Sequence, residues 1–303
     1  MKTSVTQSIR GTAGRTAVTA VAPVVWGTTY VVTTEVLPPG HPVFAALMRT
    51  LPAGLVALAL ARTLPGGIWW VRAAVLGILN IGAFNALLFV AAERLPGGVA
   101  GTLVAGQPLL VVGLAAVVLQ QRPDAWRVGW GVAGVVGVGL VVLGPAAALD
   151  GAGVAAGVGC AVAMALGVTL TKRWGRPPEA TPVAFAGWQL TAAGLFLLPL
   201  TLVIEGPPPA IGLAAGAGYL WLGLAGGLIA YIVWFQGIVT LPVTSVSLLG
   251  LLSPLVAALL GAALLGQLLG PVQIVGFVLT LAAVAAGQVP PPARLRPASS
   301  LAA

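Results

Sequence analysis

Apolar residues run through this chain in stretches of about 20, the length that carries an α-helix across a bilayer. Polar, Pro-rich or Gly-rich connections separate ten such stretches, at roughly 17–36, 42–61, 73–92, 97–119, 126–147, 152–171, 182–204, 217–238, 243–265 and 271–289. Connections such as Pro38-Pro39-Gly40, Pro65-Gly66-Gly67, Pro177-Pro178 and Gly206-Pro207-Pro208-Pro209 stop helices, because proline has no N–H to continue one. None is long enough to hold a soluble domain. Residues 1–16 form a polar tail, and the apolar run after it lacks a small-x-small cleavage site, so it reads as a retained first span. Residues 290–303, rich in Pro, Ser and Ala, read as a disordered tail.

Composition agrees with this pattern. Only 7% of residues are charged and 59% are hydrophobic, against about 25% charged in an ordinary soluble domain. That excludes a soluble globular enzyme and a disordered chain. The net charge of +8 is not the footprint of a nucleic-acid-binding face, which needs clustered charge on a folded, solvated surface. The charge records orientation instead. With the N-terminus inside, Lys2, Arg10, Arg15, Arg62, Arg72, Arg122, Arg127, Lys172, Arg173, Arg176, Arg294 and Arg296 all fall on the cytoplasmic side. Of the 14 Lys and Arg, only Arg94 lies outside and only Arg49 lies within a span. Glu35, Glu93, Asp150 and Glu205 fall outside. An error in the span count would mix the signs, so ten helices with both termini cytoplasmic are predicted, in the cell (inner) membrane.

The chain also repeats itself. Pro42-Val43 recurs as Pro182-Val183 and Ala53-Gly54-Leu55 as Ala193-Gly194-Leu195. After the Pro-rich loop beyond Glu205 the offset lengthens. Gly77 then pairs with Gly223, Phe89 with Phe235, Leu95-Pro96 with Leu241-Pro242, Pro108-Leu109 with Pro254-Leu255 and Gln121 with Gln267. The prediction is an all-α polytopic membrane protein, its ten transmembrane helices arranged as two inverted five-helix repeats, 17–147 and 152–289. An odd number of helices per repeat makes the second copy enter the membrane from the opposite face. Inverted repeats of this kind are typical of secondary transporters, which hold substrate between the halves near the midplane and alternate access around it.

Three features carry a family resemblance: Trp26-Gly27-Thr28-Thr29-Tyr30 in the first helix, Arg49 in the second, and the paired run that ends each repeat. That run reads Leu95-Pro96-Gly97-Gly98-Val99-Ala100, then Gln107-Pro108 and Gln121, in the first copy. In the second it reads Leu241-Pro242-Val243-Thr244-Ser245-Val246, then Ser253-Pro254 and Gln267. On these residues the chain resembles the EamA-type branch of the drug/metabolite transporter superfamily over residues 17 to 289. The resemblance implies export of small metabolites, amino acids or drug-like compounds. The family usually carries Glu where this chain has Gln121 and Gln267. Gln keeps hydrogen bonding but does not titrate, so any gating or coupling role of those Glu residues is put in doubt here.

Arg49 is the sharpest single candidate. A charge near a span centre costs about 2.5–3.5 kcal/mol on insertion scales, so something normally offsets it. It reads either as an anion-attracting residue of the cavity or as a structural group bonding freed backbone carbonyls. Its repeat mate is Gln189. Pro108 and Pro254 lie mid-span, where proline kinks a helix and frees a carbonyl, and Gln107 and Ser253 precede them as candidate cavity groups. Trp26 and Tyr30, Asn85 and Phe89, and Tyr231 with Trp234 fall at helical spacings that place each set on one face. They read as a substrate-cavity wall suited to aromatic or amphipathic compounds, or as helix-packing residues. Glu35 and Glu93, near the outer boundary, are the candidates for proton coupling. Trp69, Trp70, Trp126, Trp174 and Trp221, near span ends, read as interface anchors.

Rival functions lack their residues. No His-Glu-x-x-His motif or membrane Asp pair occurs, and the lone His41 and Cys160 are far apart in sequence, so no enzyme, metal site or cofactor is expected. The partners expected are a small-molecule substrate, the lipid bilayer and a proton as coupling ion, with no nucleic acid. A passive facilitator is the alternative reading, and a non-transporting membrane scaffold the remaining one.

Overall fold

In a computed structural model of the chain, residues 2–95, 97–122, 124–142, 150–266 and 269–289 are described. The side chains of 2–10, 89, 92, 93 and 97–100 are not, so the side chains of Phe89 and Glu93 lie outside the described residues. So do Gln267, residues 143–149 with the end of the first repeat, and the tail 290–303.

Among the described residues, ten helices are long and apolar enough to cross a membrane. They are α1 (Gly11–Glu35), α2 (Pro42–Ala61), α3 (Trp69–Leu88), α4 (Gly101–Val118), α5 (Ala125–Val142), α6 (Gly151–Trp174), α7 (Pro182–Ile204), α8 (Leu213–Thr240), α9 (Val243–Leu265) and α10 (Pro271–Gln288). Helix already begins at Lys2, within the expected N-terminal tail, and runs on into α1. Proline opens α2, α7 and α10 at the first turn, where its missing N–H would have no partner anyway.

Several spans are interrupted, and the interruptions of α3, α4, α8 and α9 follow the repeat, whereas α6, the mate of α1, runs unbroken. In α3 the backbone is π-helical over Ile78–Gly82, and in α8 over Leu222–Ile229. In the register that pairs Gly77 with Gly223, these segments overlap. Spans α4 and α9 break at Gly106 and at Gly250–Leu251, and α1 breaks at Thr28. The kinks expected at Pro108 and Pro254 therefore take another form. Each proline falls in the first turn of a new helical piece, Gln107–Val118 or Leu252–Leu265. The chain has already turned there, so no ladder hydrogen bond is lost at the proline itself.

The packing fits a two-fold relation between halves. Helix α2 packs most extensively on its mate α7, and α5 on its mate α10. The α3–α6 contact is answered by α8–α1, and α4–α6 by α9–α1. Close approach at the two self-paired crossings requires glycine. A Cβ on Gly54 would lie 2.5 Å from Thr191 N, and one on its mate Gly194 would lie 2.5 Å from Leu51 Cβ. Between α5 and α10, a Cβ on Gly276 would meet the Gly137 carbonyl at 2.6 Å. The centre is filled by Trp234, Phe185, Phe235, Leu76, Ile81 and Leu190, all essentially inaccessible. The outside is apolar too, with Val117 72% and Leu213 94% exposed, a surface that hydrocarbon rather than water solvates.

Links at the helix ends join residues that the charge pattern assigns to the same side. Lys172 Nζ donates to the Val239 and Leu241 carbonyls at 2.8 Å each. Arg72 lies over the rings of Trp69 and Trp174. At the opposite end Arg94 pairs with Asp150 at 3.7 Å, an exposed contact of little energetic weight. There too, the Glu205 carboxylate accepts from the Val43 and Phe44 N–H groups at 2.6 and 2.8 Å. Glu205 thus caps α2 from the far side of the sequence. Proline at position 42 leaves the next two amides as the free donors, and a carboxylate is suited to receive them.

Candidate functional site

A helix at membrane depth can leave its regular hydrogen-bond ladder only where protein or a lined cavity takes up the freed groups. In α8 the π-helical turn does this at Gly226. The Ala230 N–H donates to the Ala225 and Gly227 carbonyls and skips Gly226. The Gly226 carbonyl instead receives Trp26 Nε1 at 2.9 Å and Arg49 Nη2 at 3.3 Å. Gly227 lets α8 come this close to α2, since a Cβ there would overlap the Arg49 carbonyl oxygen.

The Arg49 guanidinium lies 6.0 Å from the ring centres of both Trp26 and Tyr231, near the limit for a cation–π attraction. Its Nε is buried without a partner. Among the described residues no carboxylate pairs with it. The Trp26 ring also meets Trp234 at 5.2 Å, edge to face. Trp234 is 1% exposed, and its Nε1 has no acceptor. From Tyr231 a ladder of rings runs toward the basic end of the bundle. Tyr231 stacks on Phe235 at 5.5 Å, Phe235 meets Phe185 at 5.9 Å, and Phe185 meets Trp69 at 5.9 Å. The ladder ends under Arg72, 5.2 Å from the Trp69 ring.

The repeat mate of Arg49 occupies the mirrored position. Gln189 is fully buried in α7 and faces the π-helical turn of α3, where its Oε1 accepts from Asn80 Nδ2 at 3.2 Å. The same amide donates to Thr171 Oγ1 at 3.1 Å, and Gln189 Nε2 returns to the Phe185 carbonyl of its own helix at 3.2 Å. Asn80 corresponds in the repeat to Gly226. One geometry, the second helix of one half set against the π-helical turn of the other, thus carries two chemistries. On the Gln189 side the amide pair is largely satisfied. On the Arg49 side a cation and several donors outnumber the acceptors.

Of the residues proposed from sequence, Trp26, Arg49, Tyr231 and Trp234 come together in one cluster, and Gln189 lies in the related one. Tyr30 does not join them. It is 49% exposed, because the break at Thr28 ends the helical stripe that would have carried it beside Trp26. Asn85 is buried and donates to the Ile81 carbonyl of the π-helical turn at 2.7 Å. Gln107 is buried at the α4 break with Nε2 unpartnered, and Ser253 is half-buried at the α9 break. Glu35 is exposed and accepts from Thr34 Oγ1 at 3.2 Å.

Sequence reasoning missed Gly226, Asn80, Phe185 and the capping role of Glu205. It also took Trp69 for an interface anchor, whereas that ring belongs to the interior ladder. A signal existed for two of these. The Gly226-Gly227 doublet and the intramembrane amide Asn80 fall at matching positions of the two third helices.

Ten apolar spans, halves related by a two-fold pattern of contacts, and a buried cation facing an interrupted helix define a class: the repeat-built, multi-pass membrane transport proteins. Comparison with known proteins agrees. The profile of the EamA-like transporter family matches residues 16–143 and again 151–286, which fits one match per five-helix repeat. The chain belongs to the EamA-like transporter family, within the drug/metabolite transporter superfamily. It is 46% identical to Protein PecM of Dickeya dadantii over 263 residues, 87% of this chain and 88% of that protein. It is 29% identical to a chloroplastic WAT1-related protein of Arabidopsis thaliana, over 86% of this chain and 66% of that one. It is 27% identical to an uncharacterized transporter of Synechocystis, over 89% and 88% of the two chains. A solved crystal structure superposes with a TM-score of 0.77 over 90% of this chain and 96% of the other, at 20% identity, which speaks to the fold alone.

Proposed function

We propose that the protein is a secondary transporter that exports a small organic metabolite across the cell membrane by alternating access, with both termini cytoplasmic. One observation carries the reading. In each half, the second helix sets a polar side chain against the π-helical turn of the other half, Arg49 on Gly226 and Gln189 on Asn80. A π-helical turn can shift its hydrogen-bond register locally, and two such turns related by the repeat offer two exchanged arrangements of similar energy. The substrate site is formed by Trp26, Arg49, Tyr231 and Trp234, and the breaks before Pro108 and Pro254 serve as the flexible points of α4 and α9. A proton is the candidate coupling ion, with Glu35 and Glu93 as the carboxylates at the outer boundary.

Reconstitution into liposomes tests this. Uptake of a panel of amino acids, nucleobases, aromatic acids and cationic dyes is measured with and without a pH gradient. Saturable flux of at least one class, lowered by Arg49→Gln in protein that inserts normally, is the expected result. No flux of any compound would refute transport. Flux indifferent to the gradient would replace the coupled exporter with the passive facilitator.

A further inference from the structure

Resting on the transport reading, we infer that the site between α1, α2 and α8 takes an organic anion carried on a planar aromatic or conjugated frame. The charge argument comes first. The six acidic residues of the chain all lie at or beyond span ends, and among the described residues none pairs with Arg49. A guanidinium has five N–H donors and no acceptor. Here one donor reaches the Gly226 carbonyl at 3.3 Å, and Nε is buried with nothing to donate to. The Trp234 Nε1 donor is likewise buried and unpartnered, on a ring 5.2 Å from Trp26. A buried excess of donors around an uncompensated positive charge is completed by an acceptor-rich anion. A carboxylate meets a guanidinium in a bidentate fork. An organic cation would have to sit against the guanidinium where water screens little.

The frame of the ligand follows from the walls. Trp26 and Tyr231 flank the guanidinium, and the ring ladder through Phe235, Phe185 and Trp69 leads from it to Arg72 at the basic end. The same pairing of a guanidinium with two aromatic rings thus stands at both ends of one apolar ladder. The inner rings Phe235 and Phe185 are buried against each other, so a flat, polarisable body meets the half-buried Trp26 ring at the Arg49 end, and its anionic group pairs with that guanidinium. On the Gln189 side the Asn80–Thr171 amide cluster carries no charge, so the selectivity is lodged in one half only.

The test is a matched series on the full-length protein in detergent and in liposomes: 2-naphthoate, 2-naphthamide and 2-naphthylmethylammonium, which share a ring system and differ in charge. Binding is followed by calorimetry and entry by counterflow. Naphthoate is expected to bind about tenfold or more tightly than the amide, and the cation least well. Arg49→Gln removes that preference, Arg49→Lys retains part of it, and Trp234→Phe weakens naphthoate severalfold. Equal binding of the three probes overturns the inference, as does an unchanged naphthoate-to-amide ratio in Arg49→Gln. Should Arg49→Gln fail to fold, the wild-type ranking alone decides. Flux of other solutes without a naphthoate preference refutes the anion site and leaves transport standing. An Arg49-dependent naphthoate preference with no flux of anything refutes transport and leaves the anion site standing.

Discussion

Glu205 offers the most direct test of how the two halves are tied together. Its carboxylate spans from the end of α7 to the first turn of α2 and accepts the N–H groups of Val43 and Phe44 at 2.6 and 2.8 Å. Glu205→Ala leaves both donors without a partner in a half-buried position. Loss of a helix cap typically costs about 0.5–2 kcal/mol, and a negative charge at a helix N-terminus adds about 0.3–1 kcal/mol. Glu205 keeps partial contact with solvent, so the upper end is discounted and about 2 kcal/mol is expected for Glu205→Ala. Glu205→Gln keeps one acceptor but turns an amide N–H toward the second donor, and falls between Ala and wild type. Cys160 provides the readout. It is the only cysteine, fully buried, with its Sγ donating to the Phe84 carbonyl, so a thiol-reactive dye reports on it only as the bundle opens. At about 2.1 cal/mol/K of unfolding entropy per residue, a chain of 303 residues shifts by about 1.6 °C per kcal/mol, so the apparent melting point of Glu205→Ala in detergent drops by roughly 3 °C. Glu35→Ala, at the same end but exposed, shifts it by less than about 1 °C. If Glu205→Ala melts with the wild type, or no lower than Glu35→Ala, the capping argument is wrong.

Two further predictions follow from packing and topology. Gly54→Ala forces a Cβ into the backbone of α7 at Thr191 and is expected to cost about 1–3 kcal/mol, seen as a lower melting point and a broadened size-exclusion peak. Gly113→Ala, where a Cβ meets nothing within 4 Å, leaves both unchanged. For orientation, Gly66→Cys in the α2–α3 loop reacts with a membrane-impermeant maleimide only in inverted vesicles, and Ala210→Cys in the α7–α8 loop only in intact spheroplasts; the buried Cys160 leaves the background unlabelled. The reverse pattern would invert the assigned topology.

Much of the architecture is legible in one dimension. Span length is a local property set by bilayer thickness, and the basic loops and duplicated prolines stand out without any knowledge of packing. Arg49 is visible for the same reason, since a charge inside an apolar run has no neighbours of its kind.

What Arg49 touches is a matter for the fold. Its acceptor is a carbonyl 177 residues away, available because α8 changes its hydrogen-bond register there, and that change leaves no mark in hydropathy. The break at Thr28 turns Tyr30 outward although its spacing from Trp26 is helical. Glu205, which looks like an ordinary loop acid in the chain, becomes a helix cap only once α7 lies against α2. Composition and periodicity therefore determine how many apolar spans there are and roughly where each lies, because that depends on each segment's own transfer into lipid. Which freed carbonyl meets which cation, and which ring extends the ladder, depends on helices far apart in sequence coming within hydrogen-bonding distance. That is a property of packing, and no single segment contains it.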